Sequence, residues 1–105
     1  MNLNTPRINN LVSALLLLKN GPEAKKFLRD LLTEEEIIEF GKRWQAARML
    51  QRQIPYTQII KATGLSSTTV ARVAKWLKRG AGGYRLVLSR LASHHSNPSF
   101  EKRLS

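Results

Sequence analysis

Residues 56–75 read YTQIIKATGLSSTTVARVAK, and the order of residue types in this stretch decides the fold. Pro55 stands directly before it, and its fixed φ suits the opening turn of a helix that runs through Gln58, Ile59 and Ile60 to Thr63. Gly64 ends that helix, because glycine tolerates the left-handed backbone of a sharp turn, and Leu65 is placed to plug the angle between two helices. Ser66 or Ser67 caps the second helix. In it Val70, Val73 and Leu77 recur at three- and four-residue intervals as one buried stripe, which leaves Thr68, Ala71, Arg72 and Lys75 facing outward. Residues 56–77 therefore form a helix-turn-helix. Short polar side chains near a helix start reach base edges in the major groove, and arginine or lysine further along suits guanine edges or phosphates. Double-stranded DNA is the expected partner. The plainer alternative is a helical hairpin with a solvated basic face.

The charge distribution points the same way. The chain has 105 residues and a formal net charge of +11, the size of one small domain with tails. Residues 1–41 hold five Lys/Arg against six Asp/Glu, whereas residues 42–105 hold thirteen against one. The basic part is the part that carries the helix-turn-helix, and such a field attracts a polyanion and binds it in a salt-dependent way through counterion release. The absence of cysteine excludes disulfides and thiolate metal sites and agrees with a reducing cytoplasm. Residues 11–18, LVSALLLL, imitate a signal-peptide core but lead into Lys19, Asn20, Gly21 and Pro22 without a small-residue cleavage pattern, and they are too short to span a bilayer. A soluble cytoplasmic chain, without a membrane partner, is expected.

No strand alternation and no internal repeat is visible, so the fold class is all-α. Residues 1–7 read as a loose arm, 8–92 as the helical unit and 93–105 as a tail. Ile8, Leu11, Val12, Leu15, Leu16 and Leu18 make a first helix with more apolar surface than one small core uses, which predicts packing against a second chain. A second helix starts at Pro22 and carries Phe27, Leu28, Leu31 and Leu32. Thr33 and Glu36 form a capping-box pattern for a long third helix with Ile37, Phe40, Trp44, Ala47 and Leu50 down one side, ending near Gln53. Residues 80–83, GAGG, break the chain before a last helix that begins at Tyr84.

Three segments together, LLTEEEIIEFGKRW at 31–44, TGLSSTTVARV at 63–73 and GAGGY at 80–84, resemble the Trp-repressor-like superfamily, and within it the YerC/YecD branch. The resemblance covers roughly residues 27–88. It implies an intertwined homodimer of all-helical subunits whose N-terminal helices pack across the partner. Its two reading heads would enter successive major grooves about 34 Å apart, on an approximately palindromic site. Carried over by position, Ser67, Thr68 and Ala71 correspond to base-facing residues and Tyr56, Thr57 and Thr69 to backbone-contacting ones. Ser66 heads the same helix, and Arg72 and Lys75 add charge beside it. In the family's namesake, tryptophan lies between the long helix and the reading helix. Thr33, Arg43 and Arg72 match positions that contact it, whereas Val73 stands where the repressor has glycine and Trp76 where it has serine. Both departures add bulk where the ligand would lie, so a vestigial pocket and DNA binding without tryptophan or another effector are expected. Without a ligand, Thr33 serves as a helix cap, Arg43 pairs with Glu39 and Arg72 belongs to the DNA face.

Other constellations carry no chemistry. Glu34, Glu35, Glu36 and Glu39 sit in the first turns of a helix, where negative charge is favourable. His94 and His95 are adjacent, diverge around a helix and lack the i, i+4 relation of a shared metal. Residues 80–83 lack the GxxxxGK[ST] pattern. Trp44 reads as core, and Trp76 as core or as a plug in the vestigial pocket. Nothing assembles a nucleophile, a base and an oxyanion site, so an enzyme, a metal and a cofactor are not expected. The sequence thus reads as a dimeric, sequence-specific transcription regulator, most simply a repressor. Its alternatives are a nonspecific nucleic-acid binder, architectural or RNA-associated, and a helical protein-interaction module.

Overall fold

The computed structural model describes residues 1–94, which form six helices and no strand: α1 (Pro6–Leu15), α2 (Gly21–Leu31), α3 (Glu34–Gln51), α4 (Tyr56–Thr63), α5 (Ser67–Arg79) and α6 (Gly83–His94). The all-α expectation holds, with boundaries moved by local chemistry. Thr5 caps α1 by accepting from the Ile8 N–H at 3.3 Å, and Pro6 opens the helix inside what reads as a loose arm. Asn20, taken in sequence for part of a helix break, caps α2 by accepting from the Glu23 N–H at 3.0 Å. At the other end α6 continues through Ser93 and His94, which read in sequence as the start of the tail. Residues 95–105, with His95 of the histidine pair, lie outside the described residues.

The capping box at Thr33 forms as expected: the Glu36 N–H donates to Thr33 Oγ1 at 3.1 Å and the Thr33 N–H donates back to Glu36 Oε1 at 3.0 Å. α3 ends two residues before the expected Gln53. Gln53 takes the left-handed conformation (φ 62), its N–H bonds Leu50 O at 2.9 Å and the Ile54 N–H bonds Met49 O at 3.1 Å. This is a Schellman closure, with the Ile54 and Met49 side chains both against the core.

Ala46, Ala47, Ile59, Leu65, Val70 and Val73 form the core where α3, α4 and α5 meet. Two fully buried alanines in the C-terminal half of α3, Ala46 and Ala47, present little side-chain bulk to α4 and α5 there. Each buried branched side chain in that junction contributes about 1.5–3 kcal/mol. α6 packs against α5, with Leu88 buried near Arg48, Gln51 and Arg52 of the α3 end, and Tyr84 stacks on Trp44 with ring centroids 6.4 Å apart and planes 17° from parallel. Phe40, expected on the buried stripe of α3, is half exposed because the junction engages the C-terminal half of the helix and leaves Phe40 beyond it. α1 buries none of its residues, and Leu11, Val12, Leu15, Leu16 and Leu17 stay open to solvent.

Candidate nucleic-acid interface

The interface is built on a turn whose geometry is over-determined. Gly64 sits at φ 74, and its N–H bonds Ile60 O at 2.9 Å, which closes α4. The buried Thr63 hydroxyl donates to Ile59 O at 2.7 Å and accepts from the Leu65 N–H at 3.2 Å, tying the last turn of α4 to the middle residue of the link. Leu65 is buried as the expected plug. Ser66, not Ser67, is the cap of α5: its Oγ accepts from the Thr69 N–H at 3.1 Å and donates to Thr69 Oγ1 at 3.0 Å. Pro55 caps α4 by backbone conformation alone, so the helix starts at Tyr56.

This frame divides α5 by face. Val70, Val73 and Ala74 are buried and Leu77 is half-buried, while Ser67, Thr68, Ala71, Arg72 and Lys75 are exposed. Tyr56 and Thr57 are exposed at the start of α4, and Thr69 is half-buried with its hydroxyl engaged by Ser66. The residues expected to face bases thus lie on the open side of α5. The positive field is local too: among the described residues every Asp and Glu precedes residue 40, and α4 and α5 carry only cations.

Three cations escaped the sequence reading. Lys78 and Arg79 border a depression of about 280 Å³ together with Tyr56, Ala71, Ala74 and Lys75. The signal was present, since Lys75, Lys78 and Arg79 continue the row of Ala71 at helical spacing. Lys42 on α3 reaches the turn itself, its Nζ 3.7 Å from where a Cβ of Gly64 would stand. No local pattern announces that approach, which depends on how α3 crosses the turn.

The residues carried over as a tryptophan pocket have the following surroundings in this chain. Thr33 caps α3. Arg43 pairs with Glu39 at 3.9 Å and lies over the Phe40 ring at 5.9 Å, as the ligand-free reading has it. Arg72 is exposed and Val73 is part of the core. Trp76 is not part of the core: it is 41% exposed and borders an open apolar cavity of about 530 Å³ with Trp44, Tyr84, Val87 and residues of the glycine-rich link. None of the other four lines that cavity. Among the described residues no three His, Asp or Glu side chains group as a metal site, and no helix is long and apolar enough to cross a membrane.

Comparison with known proteins places this geometry. The pattern of the Trp repressor protein family matches residues 7–92. The uncharacterised protein YerC of Bacillus subtilis (strain 168) is 33% identical over 92 residues, 88% of either chain. The crystal structure of a TrpR-like protein from Eubacterium eligens ATCC 27750 superposes with a TM-score of 0.82 at 37% identity, covering 86% of this chain and 93% of that one. A Trp-repressor candidate from Staphylococcus aureus superposes with a TM-score of 0.81 at 32% identity, covering 86% and 90%. The chain belongs to the Trp repressor family, whose members are DNA-binding regulators and not enzymes.

Proposed function

We propose that the chain is a homodimeric, sequence-specific transcription regulator of the cytoplasm that reads an approximately palindromic DNA site and acts, most simply, by occluding a promoter. The observation that carries this reading is the division of α5, with Thr68, Ala71, Arg72 and Lys75 exposed in one cationic row over a core of Val70, Val73 and Ala74. A rigidly seated helix with that outer row has the dimensions and donors of a major-groove reader. The pairing of two copies is supported by α1, which buries nothing in its own chain, and by the exposed Leu31, Ile38 and Phe40 beyond it. Tryptophan is not required on this reading, because Val73 is committed to the core at the position where the family's namesake has glycine, which leaves less room for an indole.

Selection of bound sequences from random double-stranded DNA near physiological salt, with and without tryptophan, tests the proposal. Enrichment of a palindrome without ligand is the expected result. Enrichment only with tryptophan would overturn the ligand-free part, and none in either condition would overturn sequence reading. The excess of thirteen Lys/Arg over one Asp/Glu in residues 42–105 also fits a nonspecific nucleic-acid binder. Replacing Thr68 separates the two, since a sequence reader loses discrimination and a nonspecific binder does not.

A further inference from the structure

Along α3 and its C-cap, residues 34, 38, 41, 45, 48 and 52 are Glu, Ile, Gly, Gln, Arg and Arg, spaced four, three, four, three and four. Residues at that spacing share one seam of a helix. At about 100° per residue the seam stands opposite Ala46, Ala47 and Leu50, which pack into the core, and about a third of a turn round from Phe40. Arg48 is half-buried and the other five are exposed. Gly41 lies mid-helix, where glycine is a poor helix former, yet a Cβ there would stand in open space. Ile38 is 49% exposed. Arg48 and Arg52, like charges one turn apart, border a depression of about 310 Å³ with Gln45, Met49 and Ile54 and no carboxylate. The one ion pair among the described residues joins Arg43 to Glu39, so Glu34, Arg48 and Arg52 have none. Helix-end preferences favour Glu34 at one end and the arginines at the other. They call for neither the glycine nor the exposed isoleucine between them.

We propose that this seam is a contact between two copies of the chain, their α3 helices antiparallel and back to back. With Glu34 of one copy set against Arg52 of the second, Ile38 falls against Arg48 and Gly41 against Gln45, and the same pairs recur across the two-fold axis. No like charges meet in this register. A parallel pairing would set every charge against its own counterpart, so charge selects the antiparallel one. Each Glu34 carboxylate enters the depression beside the arginines, Ile38 lies on the aliphatic stem of Arg48, and Gly41 lets the two backbones approach. The occupant is a second copy because the seam carries its own complement at its other end. Of the apolar residues on which the homodimer reading rests, only Ile38 lies in the seam; the α1 leucines and Phe40 do not. The seam therefore joins one pair of copies to another. α4 and α5 lie on the far side of α3, so copies joined here turn their reading helices outward. On the DNA-reading function above, on which this consequence rests, the assembly holds two duplexes at once.

Sedimentation of the full chain over a range of concentrations tests the contact. Wild type is expected to assemble from pairs into a species of four copies, less readily as salt rises. Arg52→Glu and Glu34→Lys are each expected to weaken that step about tenfold, since one substitution acts twice in a symmetric contact, and the two combined in one chain to restore it. The chain has no cysteine, so Glu34→Cys mixed with Arg52→Cys reports the register: mixed cross-links are expected over like-with-like ones. Gly41→Leu is expected to keep wild-type affinity for one selected duplex while losing capture of a second. A species that stays a pair at every concentration, without preference for mixed cross-links, overturns the contact and leaves the homodimer reading standing. So does a four-copy species indifferent to the seam substitutions. Seam variants that split pairs into single copies would make the seam the homodimer contact itself and overturn its place as a second one. A chain that stays single throughout overturns both readings. Four copies that bind no duplex overturn the DNA reading, and the two-duplex assignment with it.

Discussion

The Lys42 ammonium lies 3.7 Å from the point a Cβ on Gly64 would occupy, ordinary contact distance, so space is not what keeps residue 64 a glycine. The backbone is, at φ 74. Gly64→Ala is therefore expected to cost about 1–2 kcal/mol, from left-handed strain alone. Gly64→Asn should cost less, because asparagine tolerates that region. Thermal unfolding of both variants checks the order; equal losses would point to crowding by Lys42 instead.

Thr63 holds the turn from the other side. Thr63→Val keeps the volume but leaves the Ile59 carbonyl and the Leu65 N–H without the hydroxyl that bonds both. A loss of about 1–3 kcal/mol is expected, with Thr63→Ser retaining most of the stability. Denaturant titration measures both, and a valine variant as stable as wild type would remove the hydroxyl from the account of the turn.

Gln53 is the described residue other than glycine with a positive φ, and it sits at the position after the helix cap where glycine is favoured. Gln53→Gly should stabilise the fold by about 0.5–1 kcal/mol, the backbone strain removed outweighing the added freedom of the unfolded chain. A lowered unfolding midpoint would mean that the Gln53 side chain contributes something the backbone geometry does not reveal.

The Glu36 carboxylate is held below its ordinary value of 4.5, first by the hydrogen bond from the Thr33 backbone N–H and then by the Thr33 side chain. A depressed carboxylate contributes stability that is complete above its unfolded value and disappears as pH falls through the folded one. The stability curves of wild type and Glu36→Gln should therefore run apart at neutral pH and converge in acid below 4.5. Parallel curves from pH 7 to acid would show that the charge adds nothing to the cap.

Where neighbours in sequence are neighbours in space, the chain was legible. The glycine turn, the plug at Leu65, the capping box and the two faces of α5 all follow from residues within one or two helical turns of each other. Helix ends were less so: Gln53 closes α3 through a left-handed residue that is not glycine, and Thr5 and Asn20 act as caps inside segments that look like an arm and a break. Features set by how whole helices cross were not legible. Periodicity put Phe40 on the right side of α3 but could not say where along that side the junction stops. Nothing near Lys42 in sequence ties it to Gly64. Nor did any local pattern show that Val73 belongs to the core or that Trp76 borders a cavity with Tyr84 and the glycine-rich link.

The separation of faces on α5 bears on how such a protein can change over generations. Val70, Val73 and Ala74 hold the helix, whereas Thr68, Ala71, Arg72 and Lys75 contribute nothing to the core. Replacements in the second group are close to neutral for folding. A duplicated copy can therefore drift in its outward row without first losing its structure, and the same scaffold can acquire new targets one exposed side chain at a time.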